Sequence, residues 1–339
     1  MSVIYIREQG SIVKRVSERL IVCNKGKDVL EISASDIDSL ALFGNVQITN
    51  PALQMLLELG VDVNYFSYSG KYLGKATGDR SKNIFLRLSQ YAFYNDLEKR
   101  LEVGRTIVKN KAENQLKMIK RHDWRNLKED GGFDRKACTE QLEKLIAKIP
   151  SAVTSNSLMG VEGMCSNTYF NAFGKMLSGD FEFNGRNRRP PRDPVNIMLS
   201  LGYTFLLKEV SAALEIHAFE MYLGFLHGVR YGRKSLPLDI MEEFRQPVVD
   251  RLVIKLTNSR IMNRFDFEDS GDLPVLTDEG FKKFCLAFEH CLDGEDGKDR
   301  TNYRHLIMRQ ADRLKKAVLG GDAYIPYSAY EEPEIEESI

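Results

Sequence analysis

No stretch of this 339-residue chain stays apolar for the roughly 20 residues that a membrane span needs. The longest candidate, 194–207, is interrupted by Asn196, Ser200, Gly202 and Thr204. No secretory leader is expected in the first ten residues, because Arg7 and Glu8 stand where its apolar core would be. Cysteine is scarce and unpaired: Cys23, Cys138, Cys165, Cys285 and Cys291 make an odd set with no CxxC. That argues against a disulfide framework and a zinc knuckle, and the reading is a cytoplasmic protein with no membrane association. An excess of either charge is also lacking, since 48 Lys and Arg face 48 Asp and Glu. A uniformly basic coat for nucleic acid is excluded, while a local basic face is not. A hydrophobic share of 43% with 28% charged residues is ordinary globular composition.

Two nucleotide- or ion-binding motifs are approached and missed. Gly70-Lys71-Tyr72-Leu73-Gly74-Lys75-Ala76 is one residue short of a P-loop and has Ala76 where a hydroxyl must reach magnesium, so a hairpin turn is expected. Asp293 to Gly297 lacks the alternating acids and the twelfth-position Glu of a calcium loop, and reads as an acidic surface loop.

What is present divides the chain in two. Residues 1–78 read as short strands (3–6, 20–23, 29–32, 61–66) punctuated by Gly10, Asn24-Lys25-Gly26 and Ser69-Gly70. One helix interrupts them, with Asn50 as its cap, Pro51 in its first turn and Gly60 after its end. Residues 79–90 read as a linker. From about Ile84 the period is helical: Leu97, Leu101, Gly104, Val108 and Ala112 mark one stripe of a long helix, and further helices are expected over 136–149, 155–177, 193–222, 239–258, 277–290 and 301–318. The segment behind Asp193-Pro194 is apolar nearly all round, as in the central helix of a bundle. The expected fold is α+β by chain: a small β-rich N-terminal domain over 1–78, then a larger all-α catalytic domain over 91–325. The tail, 326–339, carries five glutamates from Glu331 to Glu337 and reads as flexible.

Three segments can carry chemistry. Gly160-Val161-Glu162-Gly163 puts a carboxylate beside the apolar stripe of a helix, one turn from Leu158 and from Cys165 and Ser166. A buried acid is costly unless positive charge meets it. Gly224-Phe225-Leu226-His227-Gly228 sets an imidazole between glycines after an apolar run. Leu238 to Arg245 holds Asp239 and Glu242 three apart on one face, with Glu243 rotated towards another neighbour. Two carboxylates and a neutral imidazole suit Mg2+ or Mn2+, which can polarise a phosphodiester. The plain alternative is structural: a capping histidine and an acid paired in a salt bridge.

Basic residues supply the second theme. Arg186, Arg188, Arg189 and Arg192 crowd a proline-stiffened loop before Asp193, and guanidinium forks match phosphate oxygens. A further basic stretch from Arg80 through Arg87, Arg100, Arg105 and Lys109 is interleaved with Tyr91, Phe93 and Tyr94, which can stack on unpaired bases. An acid-and-imidazole site near phosphate-binding loops points to phosphodiester chemistry on nucleic acid.

Together these blocks resemble one family, the CRISPR-associated endonuclease that integrates new spacers and is numbered one among the Cas proteins. The resemblance lies in 160–163, in Arg188-Arg189-Pro190-Pro191-Arg192-Asp193-Pro194-Val195-Asn196 with Tyr203, and in Gly224 to His227 followed by Leu238 to Arg245. It extends to Phe43-Gly44-Asn45-Val46-Gln47-Ile48-Thr49 and Val63 to Phe66, and to Arg87, Gln90 and Tyr91. It implies a homodimer through the N-terminal domain and a complex with the small Cas protein numbered two. It implies that Glu162, His227 and Glu242 hold the divalent ion, with Asp239 beside them; the family often has Asp where this chain has Glu242. It further implies a metal-dependent endonuclease and integrase of prokaryotic antiviral immunity. Such an enzyme joins the 3′ ends of short double-stranded DNA to CRISPR repeat DNA by transesterification. Arg87, Tyr91, Arg186, Arg188, Arg189, Arg192 and Arg245 are the expected DNA-binding residues. The other readings are a general metal nuclease on branched DNA repair intermediates and a non-catalytic DNA-binding scaffold.

Overall fold

The computed structural model describes residues 3–78, 83–124, 133–178, 181–188, 190–270, 273–295 and 300–329. Two compact units emerge: Met1–Arg80 with Phe265–Thr301, and Ser81–Arg264 with Asn302–Ile339.

The first unit is built on two four-stranded sheets. One runs β1 (Val3–Ile6), β5 (Ser39–Phe43), β7 (Asp62–Phe66), β8 (Tyr72–Ala76), with the first three parallel and β8 antiparallel. The other runs β4 (Lys27–Ser33), β3 (Arg19–Asn24), β2 (Ile12–Val16), β6 (Gln47–Ile48). Alternating β-branched and aliphatic residues on the inner faces, among them Val13, Leu20, Val22, Leu40 and Val63, make one core. Helix α1 (Asn50–Glu58) adds Ala52, Met55 and Leu56 to it. The expected hairpin turn at Gly70 joins β7 to β8, with Gly70 at a φ of +87° that a side chain would strain. Thr49, not Asn50, precedes the first turn of α1, and Pro51 sits in that turn.

The stretch 265–301, expected within the helical domain, belongs to the strand-rich unit. It forms the hairpin β9 (Phe267–Ser270) and β10 (Leu273–Leu276), then helix α9 (Asp278–Asp293). Aromatic packing explains the placement. Phe281 of α9 meets Phe43 edge-on with ring centroids 4.9 Å apart, and the Arg7 guanidinium lies 4.5 Å from the Phe281 ring. Arg7 also donates to the Thr277 carbonyl at 3.1 Å. A helix-period pattern identifies α9 but not the sheet it packs on.

The second unit is helical. Its elements are α2 (Ile84–Asn95), α3 (Leu97–Arg121), α4 (Arg135–Ile146), α5 (Ser155–Met176), α6 (Pro194–Ile216), α7 (Ser235–Met241), α8 (Arg251–Asn258) and α10 (Tyr303–Val318). Capping residues set their starts: Asp96 accepts from the Lys99 N–H at 3.1 Å, and Asp193 from the Asn196 N–H at 2.8 Å. Thr154 and Ser157 form a reciprocal capping box on α5. Helix α6 is long and apolar enough by composition to cross a membrane, contrary to the interrupted run read from sequence. Its Val195, Met198, Leu199, Phe205, Leu206, Val210 and Leu214 are instead buried within this unit. The tail residues 330–339, and 79–82 of the expected linker, lie outside the described residues.

One expected helix, 239–258, is broken, and the break shapes the site. After α7 the chain turns, passes through a π-helical segment (Arg245–Asp250), and only then enters α8. Pro247 has no N–H to give the carbonyl four residues earlier, Glu243. Asn114 of α3 takes that role, donating from Nδ2 to the Glu243 carbonyl at 3.2 Å. The tertiary bond replaces the missing helical one, and π-type irregularities commonly mark functional segments. Replacing Asn114 by Leu should cost about 1–3 kcal/mol, because a buried carbonyl loses its donor. Urea unfolding measures this; an unchanged midpoint would refute the assignment.

Candidate active site

Helix α3 supplies a lysine that no sequence motif announced. Lys111 Nζ lies 2.7 Å from Glu242 Oε2 and is also hydrogen-bonded to Glu162 Oε1. Its side chain is 9% exposed, against 18% for Glu162 and 5% for Glu242. Arg245 Nε lies 2.8 Å from the same oxygen, Glu242 Oε2. The acid between helices α3, α5 and the turn after α7 is thus held by two cations. Burial pushes Glu242 up, but Arg245 and Lys111 more than offset it and hold its carboxyl at about 2. Glu162 is likewise held below its ordinary value, burial being outweighed by Lys111 although Glu242 opposes it. Burial lowers and the two carboxylates raise Lys111, with a net rise, so the lysine is a cation at neutral pH. Ser166, one turn along α5, donates to Glu162 Oε1 at 2.9 Å.

The histidine arrives from a non-helical segment. Helix α6 stops at Ile216 rather than reaching 222, and Ala218 adopts a φ of +73°. Residues 217–234 then run irregularly, held by α2. Gln90 donates to the carbonyls of Glu220 and Leu223, each at 3.0 Å, and accepts from the Glu220 N–H. Arg87 donates to the Ala218 carbonyl at 3.2 Å, and Phe93 meets Phe225 edge-on. Arg87 therefore braces the histidine segment.

Asp239 aims the imidazole. It is fully buried and accepts the backbone N–H groups of Phe225, Leu226 and His227. Its Oδ1 also takes Nδ1–H of His227 at 2.7 Å. That fixes the tautomer and leaves Nε2 as the nitrogen free to meet an electrophile. Asp239 is thus a positioning residue whose oxygens are committed. Gly224 makes this cradle possible, since a Cβ there would come within 2.7 Å of Asp239 Oδ2 and 2.8 Å of the Ser235 backbone. His227 is raised from its ordinary value: burial opposes, and the bond to Asp239 and the charges of Asp239 and Glu242 prevail.

The structure therefore brings Glu162, Glu242, Asp239 and His227 into one electrostatic neighbourhood. It does not present them as a finished ion cage. Among the described residues no three His, Cys, Asp or Glu side chains already converge on an ion. The Lys111 ammonium lies between the two acids instead. The donor chemistry nonetheless fits a hard divalent cation: Glu162 Oε2, Glu242 Oε1 and His227 Nε2 have no hydrogen bond among the described residues.

The arginines divide. Arg186 is turned inward, donating to Asn196 Oδ1 at 2.6 Å and Ser200 Oγ at 3.0 Å, with its guanidinium 5.4 Å from the Tyr203 ring. Burial lowers it to about 10. Arg245 packs 4.6 Å from the same ring while it holds Glu242. Tyr203 in turn hydrogen-bonds to buried Asp250, which Tyr169 also meets at 2.8 Å. Both arginines, expected on DNA, are committed to the protein interior. Arg188 and Arg192 are exposed, Tyr91 is 48% exposed, and Arg189 lies outside the described residues.

With this geometry in place, comparison with known proteins is decisive. The profile of the CRISPR associated protein Cas1 family matches residues 4–290. The chain belongs to the Cas1 family. It is 34% identical to CRISPR-associated endonuclease Cas1 3 of Thermus thermophilus over 327 residues, covering 94% of this chain and 95% of that protein. It is 32% identical to the CRISPR-associated exonuclease Cas4/endonuclease Cas1 fusion of Geobacter sulfurreducens, covering 94% of this chain and 58% of the fusion. Its fold matches a Cas1 protein from Thermotoga maritima with a TM-score of 0.81 at 25% identity, covering 95% and 99% of the two chains. A Cas6-RT-Cas1–Cas2 complex gives a TM-score of 0.83 at 25% identity, covering 97% of this chain and 36% of that one. A casposase bound to its integration product shares the Cas1 fold at 23% identity and a TM-score of 0.83.

Sequence reasoning missed Lys111, Ser166 and the inward role of Arg245. A lysine inside the buried stripe of α3, between Val108 and Ala112, was the available signal. The acids generate a pH prediction. Glu242 falls from 4.5 unfolded to about 2 folded, so its contribution to stability is present above pH 4.5 and lost as pH falls towards 2. Urea midpoints should fall less steeply across that window in Glu242→Gln than in the parent; parallel slopes would contradict the ion-pair account.

Proposed function

We propose that this Cas1 chain is a metal-dependent DNA endonuclease and integrase that inserts short DNA fragments into a CRISPR array. The observation that carries the reading is the pair of carboxylates, half-buried Glu162 and buried Glu242, held together by Lys111 beside an imidazole whose Nε2 is left free by the bond to Asp239. Glu162, His227 and Glu242 would hold Mg2+ or Mn2+, with Glu242 rather than Asp239 as the second acid. When bound, such an ion withdraws charge from a phosphodiester and lowers the pKa of an attacking hydroxyl.

The chain's own residues do the rest. Asp239 keeps the His227 proton on Nδ1, so that Nε2 faces the reacting groups. Arg245 keeps Glu242 ionised and fixed in direction, and Ser166 does the same for Glu162. Exposed Arg188 and Arg192, with Arg189 between them in sequence, supply a cationic rim for backbone phosphates ahead of α6. Tyr91 offers an exposed ring for an unpaired base. The expected partners are a second copy of this chain, the small Cas2 protein, and double-stranded DNA with single-stranded 3′ ends. The similar complex containing Cas1 and Cas2 supports the second of these.

Strand joining on a repeat-containing plasmid with Mn2+ tests the proposal. Glu162→Ala and His227→Ala should each lower joining by roughly a hundredfold or more if they hold the ion, and EDTA should abolish it. Undiminished joining in either folded variant would overturn the site. Cleavage of branched DNA without joining would favour a repair nuclease.

A further inference from the structure

We infer that Lys111 is a resident counter-ion that the divalent cation must displace, so that it sets how tightly the Cas1 site takes metal. This rests on the metal reading above. The ammonium contacts Glu162 Oε1 and lies 2.7 Å from Glu242 Oε2, so it lies between the two acids that an ion would bridge.

Two ionised carboxylates buried together repel unless positive charge separates them. Lys111 supplies that charge before metal arrives. Arg245 is the second cation on Glu242, but its guanidinium packs 4.6 Å from the Tyr203 ring. Lysine is a compact charge on a flexible four-carbon stem, and it can withdraw where a stacked guanidinium cannot. The exchange has an open end, because Glu162 is 18% exposed while Glu242 is 5% exposed. Helix α3 itself stays in place, since Asn114, one turn along, is bonded to the Glu243 carbonyl. Lys111 thus keeps both acids ionised and aligned at the cost of opposing the incoming ion.

A lysine that merely braces the fold and one that competes for the acids differ in sign. Removing a brace loosens the site and weakens metal binding. Removing a competitor tightens it. The test is Mn2+ titration of the full-length protein by calorimetry, with thermal unfolding in EDTA and in Mn2+. Lys111→Met should bind Mn2+ on the order of tenfold more tightly, since like charges at this separation in a partly buried site interact by well over RT. Its melting temperature should fall in EDTA and rise with Mn2+ by more than the parent's does. A variant that folds only with Mn2+ meets the same expectation. If Lys111→Met does not fold at all, Lys111→Gln, which keeps length and one donor, carries the same prediction. Unchanged or weaker affinity in a folded variant overturns the role of Lys111. Glu242→Ala separates the two claims: a titration that survives it overturns the metal reading itself.

Discussion

Two carboxylates can share a buried place only when positive charge lies between them. Lys111 between Glu162 and Glu242 meets that requirement, and the helical unit is arranged around it. Helix α3 brings the lysine, α5 brings one acid, and the turn after α7 brings the other. Arg245 meets the same oxygen of Glu242 and itself packs against Tyr203. The free energy of burying these charges is large and unfavourable unless all of them are present. That makes the cluster a poor source of stability and a sensible place for function, where an incoming cation or phosphate can redistribute charge.

The site sits where regular structure stops. Pro247 denies the Glu243 carbonyl its helical donor, and the chain responds with a π-helical segment and a borrowed bond from Asn114. The neighbouring acid is handled separately. Glu243 faces away from Glu242, is bonded to Tyr324, Gln310 and the Tyr327 N–H, and is raised by burial to about 7. The histidine comes from an irregular segment stapled by Gln90 and Arg87, three of whose backbone N–H groups donate to the Asp239 carboxylate. Regular helices give this unit rigidity, while its broken ones allow side chains to converge.

Much of this was legible in the sequence. Strand and helix positions follow from period, and the start of α6 follows from Asp193. Glu162, His227, Asp239 and Glu242 stand out because acids and imidazoles beside glycines and apolar runs need partners. The partners themselves were not legible. Lys111 reads as one more basic residue on a charged helix until α5 and the 239–245 turn pack against it. Arg186 and Arg245 read as DNA contacts because charge is visible in sequence while burial is not. The segment 265–301 joined the strand-rich unit through Phe281 meeting Phe43, a contact between residues more than two hundred positions apart that no local pattern encodes. Periodicity reports which face is buried, and long-range packing decides against what.

Anomalous scattering from crystals grown with Mn2+ tests the central claim most directly. The account predicts one strong peak bonded to Glu162, His227 and Glu242, with the Lys111 ammonium withdrawn from the space between the acids. A lysine still bridging both carboxylates, with manganese absent or bound elsewhere, would contradict it.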